Sequence, residues 1–426
     1  MLDIAFIRDH KDLVQEGARK KHIDFDVEEL LLEDEKRRVL VREVEEMRAR
    51  QNQVTDRISK TTDSGERDIL ISEMRTFKEG LGKKEEELKE VMGRWQALMV
   101  QVPNIPDMSV PEGASDEDNV ELKTWGDIPQ FSFEPKNHIE LMEKHNMLDL
   151  ERGTKVSGFR GYVLKNDGAL LAMGLWQYFM KLLTEKGFQP MVVPSMVRRE
   201  PFIGTGYLPQ SEEDLYKTQD GNYLSGTAEV ATMGYYMGDT LNKADLPVKF
   251  ASFSPCFRRE AGSHGKDTKG LMRVHEFYKV EQVVFSEASH EESVRLHEEI
   301  RENAEEGMRA LGLPYRVVVN CGGDLGLGQV KKYDIEAWVP SESTYRETHS
   351  ASYFHDFQTR RLRIQYRDDE GKLQFAHSLN NTAVATPRIL VSIVENYQQE
   401  DGSIVVPEVL RAYVGKDVIK APELSA

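Results

Sequence analysis

CFRREAGSHGKDTKGLMRVHEFYKVEQVVF, residues 256–285, decides how the rest of the chain is read. An apolar run ends in Arg258, Arg259 and Glu260. A polar, Gly-rich segment follows, and then an alternating run that carries a further carboxylate, Glu281. A phosphate-binding loop of the Gly-Lys-Ser/Thr kind needs four residues between its first glycine and Gly-Lys, and a helix after it. Here Gly262 and Gly265 are three apart, Asp267 follows the lysine, and a strand-like run comes next. The pattern predicts strand, mobile loop and antiparallel strand, with Arg258 closing the first strand, Glu281 on the second, and a loop able to fold over a polyanion. A solvated hairpin tip laced with surface salt bridges fits the same segment taken alone.

This concentration of arginine lies in a chain of 426 residues with net charge −17, long enough for two or three domains around a large core. No apolar run approaches the length of a membrane span. The N-terminal MLDIAFIRDHKDLV carries acids and no cleavable apolar segment. Cys256 and Cys321 stand alone, which argues against a disulfide framework and against a Cys-rich zinc site. A cytoplasmic protein without membrane association is the expectation.

The N-terminal hundred residues follow a different rhythm. Leu40, Val44, Met47, Gln51, Val54 and Ile58 step by four and three, and so do Leu70, Met74, Phe77, Leu81, Lys84, Leu88, Val91, Trp95 and Leu98. Both are heptad seams, and TTDSGE at 61–66 is a turn between them. They predict an antiparallel helical hairpin with arms of about 40 Å at 1.5 Å per residue. VPNIPDMSVPEGASDED at 102–118 breaks all periodicity and reads as a linker. The expected division is an N-terminal arm domain over 1–101, the linker over 102–118 and a catalytic domain over 119–426. The pattern alone also suits a dimerisation coiled coil or a packed bundle. Between Arg48 and Lys84 nine basic residues face six acidic ones, a net +3 on an acidic chain, which suits a phosphate backbone.

Beyond residue 126, GALLAMGLWQYFMKLLTEKGF (168–188) is an amphipathic helix, and QPMVVPSMV reads as a strand ended near Pro194. The runs VKFASFSPCF, YKVEQVVF, YRVVVN, YDIEAWV and RLRIQYR are apolar or β-branched, and HEESVRLHEEIRENAEEGMRAL and RILVSIVENYQ are helices between them. Strands and helices do not alternate one for one. The fold class is therefore α+β, an antiparallel sheet flanked by helices, and not a doubly wound parallel sheet.

At this point the residues carry a resemblance. FRREAGSHGKDTKGLMRVHEFYKVE resembles motif 2 of the class II aminoacyl-tRNA synthetases, in the form found in bacterial seryl-tRNA synthetases. GFQPMVVPSMV resembles motif 1, with Pro194 at its marker proline, and SLNNTAVATPRILVSIVENYQ (378–398) resembles motif 3, with Arg388 at its marker arginine. GTAEV resembles the family's serine loop. GTGYLPQSEEDLYK, YDIEAWVP and RETHSASYFHDFQTRR match family segments in order and spacing, and the two-helix arm looks like the family's tRNA-binding arm. The likeness covers essentially the whole chain.

The resemblance implies a two-step reaction, in which L-serine attacks the α-phosphate of ATP and the acyl group then moves to the 3′ end of serine tRNA, and of selenocysteine tRNA where present. It places Arg258 between the serine carboxylate and the α-phosphate, a task that suits arginine's planar fork. It puts Arg388 near adenine and the terminal phosphate, Phe277 on adenine, and Arg259 and Glu260 at the nucleotide. Glu347, Thr348, His349 and Ser350 match the family's ATP segment, and Glu347 and Ser350 its Mg2+ positions; oxygen ligands suit a magnesium held mostly by phosphate and water. Thr227, Glu229, Glu281 and Thr382 match the serine contacts. Arg48, Arg50, Arg57 and Lys60 are the arm residues expected on tRNA phosphates. The family is dimeric through motif 1, so a homodimer is expected, and neither DNA nor a membrane is an expected partner.

Two departures stand out. Many relatives read Glu-x-Ser-Ser where this chain has Glu347-Thr348-His349-Ser350, so His349 is either a structural donor or a pH-sensitive neighbour of ATP. Motif 3 reads Asn-Asn-Thr in place of Asn-Gly-Ser, which puts a methyl group near the substrate. The methanogen-type branch uses a zinc-bound serine, and the two isolated cysteines give it no support; no zinc is expected. Two other readings stay open on sequence alone. One is a ligase that loads an amino acid onto a carrier protein, which the basic arm argues against. The other is a catalytically dead interaction protein, which intact Arg258, Glu347 and Arg388 argue against.

Overall fold

The computed structural model describes residues 1–262, 265 and 267–420; the loop read from the sequence falls partly on residues 263, 264 and 266, outside the described residues. The chain forms two compact units, one of residues 2–19 and 23–103, the other of Met1, residues 20–22 and the chain from 104 onward.

The first unit is dominated by α1 (Val27–Lys60) and α2 (Ser64–Met99). The Asp26 carboxylate accepts from the Glu28 and Glu29 N–H groups, and Asp63 accepts from the Glu66 N–H, so each helix starts on a capping aspartate. The turn expected over 61–66 shortens accordingly to 61–63. At 1.5 Å per residue these helices run about 50 Å, beyond the length of the seams read from the sequence; α1 begins earlier, with buried Val27 and Leu30. The heptad positions face inward. Leu40, Val44, Leu70, Met74, Leu81 and Val91 are buried, and Met47, Val54, Ile58 and Phe77 half-buried.

The second unit is built on an eight-stranded sheet: β1 (Val120–Trp125), β2 (Gln189–Val192), β3 (Val248–Phe257), β4 (Glu276–Ser286), β5 (Tyr315–Val319), β6 (Lys331–Val339), β7 (Thr344–His355) and β8 (His377–Thr386). Their order is β1-β5-β6-β7-β8-β4-β3-β2, and every neighbouring pair is antiparallel except β2 with β3. The helices α3 (Asn166–Glu185), α5 (His290–Ala310) and α6 (Arg388–Asn396) contribute to the main core, as does His138–Lys144 through Leu141 and Met142, with α4 (Ala228–Tyr235) lying before β3 in the chain. On α5, Leu296, Ile300, Ala304 and Met308 recur every four residues and are fully buried, so one stripe of an otherwise charged helix enters the core. They join Val280, Val284, Ile335, Ala351, Leu379 and Val384 of the sheet.

The family's antiparallel, helix-flanked architecture is thus observed, with one local correction. RLRIQYR, expected as a strand, begins in a short helix, Phe357–Leu362, and only Gln365–Arg367 is extended. Residues 356–360 close a helical turn through the Arg360 N–H to the Asp356 carbonyl at 2.8 Å, and Phe357 and Leu362 are buried from it.

Candidate active site

Alternation along β4 aims Phe277, Lys279 and Glu281 at one face, opposite Cys256, Ser254 and Ser252 of β3. Arg258 follows directly on β3. Its N–H donates to the His275 carbonyl at 2.9 Å, its Nε to the Gly226 carbonyl at 3.4 Å, and its guanidinium lies 5.3 Å from the Phe277 ring centroid. The hairpin thereby sets a cation and an aromatic face side by side. Arg388 opens α6 with Nε donating to the Met272 carbonyl at 3.0 Å and Nη1 to the Glu347 carbonyl at 2.8 Å. Nη1 also lies 3.6 Å from Glu347 Oε2. Arg273 pairs with Glu260 and stands 3.5 Å from Asp267. Arg258, Glu260, Arg273, Glu347 and Arg388 line a cleft of about 340 Å³.

Glu347 lines this cleft with its side chain half-exposed. Desolvation alone would push its carboxyl up, but the charges of Arg388, Lys332 and Arg258 outweigh it and hold the group below the ordinary carboxylate range. The cleft thus has three arginines, with Glu260 paired to Arg273 and Glu347 held ionised beside Arg388.

Further along the same face lies a small polar pocket. Thr227 caps α4, its Oγ1 accepting from the Glu229 N–H at 3.3 Å. Gln358 donates to Glu229 Oε1 at 2.7 Å and Tyr207 to Oε2 at 3.2 Å. Burial, reinforced by the nearby Glu281 charge, pushes the Glu229 carboxyl up to about 7. Glu281 is likewise raised by burial, with Lys279, Arg258 and the Thr382 hydroxyl opposing. Lys279 Nζ lies 2.6 Å from Glu281 Oε2, yet that oxygen has no aligned hydrogen-bond donor. Two buried carboxylates, one of them incompletely satisfied, form a pocket suited to an ammonium group and a hydroxyl.

The structure thus brings Thr227, Glu229, Arg258, Glu260, Phe277, Glu281, Glu347, Thr348, Thr382 and Arg388 onto one continuous face. It sets others apart. Arg259 is exposed and tied to the Glu213 and Asp214 carbonyls. His349 is buried on the inner side of β7, its imidazole pushed down to about 4 by burial, whereas half-buried Ser350, opposite Asp334, shares the face of Glu347 by register. On the separate helical unit, Arg48, Arg57 and Lys60 pair with Glu85, Glu66 and Asp56 at 2.7, 2.7 and 2.6 Å, and Arg50 lies over Phe77. Glu85 and Glu66 reach across the hairpin, while Asp56 lies one turn from Lys60 on the same helix. Such exposed pairs are worth about 0–1 kcal/mol and exchange readily.

Lys279, Arg273, Tyr207 and Gln358 were not singled out from sequence. Lys279 was within reach of the strand's alternation, lying midway between Phe277 and Glu281. Arg273, Tyr207 and Gln358 lie inside segments that resemble the family, but no local spacing aims them at the site. A separate cavity of about 530 Å³ is walled by Met173, Trp176, Tyr162 and Tyr278, with Arg160 beside them. The cleft that gathers Arg258, Arg273 and Arg388 matches a polyanion better and is the candidate site.

An antiparallel sheet that carries arginines from a β-hairpin and from the helix after its central strand defines a class II aminoacyl-tRNA synthetase core. A model of the tRNA synthetase class II core domain (G, H, P, S and T) matches residues 216–397, and one of the seryl-tRNA synthetase N-terminal domain matches residues 1–106. The chain is 45% identical to the serine–tRNA ligase of Deinococcus radiodurans, over 99% of this chain and 100% of that one. It is 43% identical to that of Thermodesulfovibrio yellowstonii over 99% and 100%. Among solved structures it resembles seryl-tRNA synthetase from Pyrococcus horikoshii complexed with ATP (TM-score 0.91, 38% identity, 99% of this chain and 100% of that one). It also resembles the cytoplasmic serine–tRNA ligase of Naegleria fowleri in complex with AMP (TM-score 0.86, 30% identity, 99% of both chains). The chain belongs to the seryl-tRNA synthetase family.

The raised Glu229 carboxyl ties stability to pH. Folding takes up a proton between the ordinary value of 4.5 and about 7, so this group stabilises the fold below that window and ceases to as pH rises through it. Glu229→Gln should therefore raise the thermal midpoint more at pH about 8 than at pH about 5, by an increment equivalent to a few kcal/mol at roughly 1.4 kcal/mol per pH unit. Equal shifts at both pH values in thermal scans would contradict the assignment.

Proposed function

We infer that this chain catalyses serine–tRNA ligation, activating L-serine with ATP and passing the serine to the 3′ end of serine tRNA. The observation that carries the reading is the position of Arg258, with the buried Glu229–Glu281–Thr382 pocket on one side and the cleft of Arg273, Glu347 and Arg388 on the other. The relatives' activity supports it, as do the ATP and AMP in the two similar structures.

In the first step a serine carboxylate oxygen forms a bond to the α-phosphorus while the α–β phosphoanhydride bond breaks. Seryl-adenylate and pyrophosphate result. The carboxylate is already a nucleophile, so no side chain need remove a proton. The task is to hold two anions together, and Arg258 does this with fixed N–H directions. Phe277 presents a face for the adenine. Arg388 and Arg273 take up phosphate charge, and Glu229 and Glu281 receive the ammonium and hydroxyl of serine beside Thr382. In the second step a terminal ribose hydroxyl of the tRNA forms the ester and AMP leaves.

Glu347 and Ser350 would hold Mg2+. Paired with Glu336 and Asp334, they share one face of β7, and both offer hard oxygen donors. A magnesium keeps most of its ligands from phosphate and water, so two protein oxygens suffice to place it. When bound, it would neutralise phosphate charge.

The N-terminal arm, which we set at 1–101 with a linker over 102–118 before the catalytic domain, would supply tRNA phosphate contacts through Arg48, Arg50, Arg57 and Lys60. A homodimer through α3 and β2 is supported by the exposed apolar side chains Leu170, Met173, Val192 and Met196 around these elements. No helix among the described residues is long and apolar enough to cross a membrane, and we place the protein in the cytoplasm.

Arg258→Ala should lower serine-dependent ATP–pyrophosphate exchange by more than about tenfold, roughly 1.4 kcal/mol of barrier, and Arg258→Lys should recover little because an ammonium cannot fork. Activity within that margin would remove Arg258 from the reaction. Replacing residues 32–100 by a short Gly/Ser linker should leave exchange largely intact while the KM for tRNA rises steeply, and tRNA binding by the intact protein should weaken with salt. Unchanged charging kinetics in the truncated protein would refute the arm's role. Met173→Glu with Val192→Glu should give a monomer in sedimentation; a monomeric unmutated protein would rule out the dimer.

A further inference from the structure

The β7 and β8 strands each carry one residue too many where they border the cleft. Along β6 and β7, Ile335 pairs with His349 and Glu336 with Glu347, which leaves Thr348 as an extra residue. Along β4 and β8, Val280 pairs with Val384 and Glu281 with Thr382, which leaves Ala383 as an extra residue. Neither has a partner residue on either neighbouring strand. Both are β-bulges, and a bulge shifts the two-residue alternation by one. Without the first, Glu347 and His349 would share a face. With it, His349 turns inward beside buried Ile335 while Glu347 faces the cleft. Without the second, Thr382 and Val384 would share a face. With it, Val384 stays in the core and Thr382 lies against Glu281.

One side chain touches both bulged residues. His349 Nδ1 lies 2.8 Å from Thr348 Oγ1, and Nε2 lies 3.0 Å from the Ala383 carbonyl oxygen. A carbonyl only accepts, so Nε2 carries the proton and Nδ1 is free to accept from the Thr348 hydroxyl. The hydroxyl has a single proton, shared between Nδ1 and the Ile335 carbonyl oxygen, which lies 3.0 Å from Oγ1. The β7–β8 ladder has already stopped at Ala351 opposite Asn381, so the imidazole bridges the two strands after their pairing has ended. The ring is 1% exposed and lies behind the cleft, where it touches neither substrate pocket.

We propose that His349 is a positioning residue that pins the two bulges to each other and so couples the placement of Glu347, on the ATP side, to that of Thr382, on the serine side. The proposal rests on the serine–tRNA ligase reading. It commits to a specific pattern: loss of the bridge loosens both substrates together, because both bulges relax at once.

The test is serine-dependent ATP–pyrophosphate exchange by the full-length protein, with KM and kcat measured for each substrate and thermal midpoints recorded alongside. His349→Ala should raise KM for serine and for ATP by about tenfold or more each, with a smaller fall in kcat. His349→Gln, whose amide N–H can reach the Ala383 carbonyl, should recover most of both. Thr348→Val removes only the hydroxyl half of the bridge and should raise both constants by a few-fold. A folded His349→Ala protein with a lowered midpoint but unchanged KM values would overturn the proposal, since that is the signature of packing alone. So would a rise confined to one substrate, or a glutamine variant no better than alanine. Where His349→Ala does not fold, unchanged constants in Thr348→Val overturn it. Absence of exchange in the unmutated protein would instead defeat the ligase reading and take this inference with it.

Discussion

The sheet's two-residue alternation is the constraint on which the molecule turns. Strands β4, β7 and β8 must each supply an apolar face to the helices behind them and a polar face to the cleft. Val280, Val284 and Val384 meet the first demand, while Phe277, Lys279, Glu281 and Thr382 meet the second. A strict alternation cannot place Glu347 in the cleft while keeping His349 in the interior, because the two are separated by a single residue. The bulges at Thr348 and Ala383 resolve the conflict at the cost of two unpaired backbone positions. Function is thus written into departures from regular pairing, and the regular strands around them keep those departures in register.

Electrostatics follows from that geometry. A protein of net charge −17 repels a polyanion at long range, so affinity has to come from short-range arrangement. Arg258 and Arg388 are fixed by backbone carbonyls of Gly226, Met272 and Glu347, and therefore present guanidinium groups without reorganisation when charge arrives. Behind them, burial raises Glu229 and Glu281 while Arg388, Lys332 and Arg258 lower Glu347. Carboxylates a few residues' width apart on one surface thus have opposite shifts, set by burial in one case and by cations in the other. The helical unit uses charge differently, with exposed ion pairs such as Arg48–Glu85 that a phosphate can displace.

Much of this was legible in the sequence, and the legible parts share a cause. The seams from Leu40 and Leu70, the turn before Ser64, the strands around 248–257 and 276–286 and the helix from His290 all follow from local periodicity, which an isolated segment already contains. Motif likeness then supplied Arg258, Glu281, Glu347, Thr382 and Arg388, because spacing within a hairpin or a strand–helix turn fixes which side chains converge. The start of RLRIQYR, Arg361 and Leu362, reads as strand but ends the helix Phe357–Leu362, because tertiary burial of Phe357 and Leu362 outweighs the apparent alternation.

What the sequence alone determined was the helical hairpin, the strands β3 to β6, the helices α3, α5 and α6, the family and the cationic character of the site, since these depend on residue order and on neighbours within a few positions. What only the tertiary structure decided was which face each side chain occupies at the centre of the sheet. Gln358 reaches Glu229 across 129 residues, and His349 reaches Ala383 across 34. The bulges that aim Glu347 and Thr382 exist only as mismatches between paired strands. A single strand has no register, so no reading of one strand by itself can contain a bulge; it is a property of two chains of hydrogen bonds meeting with unequal numbers of residues.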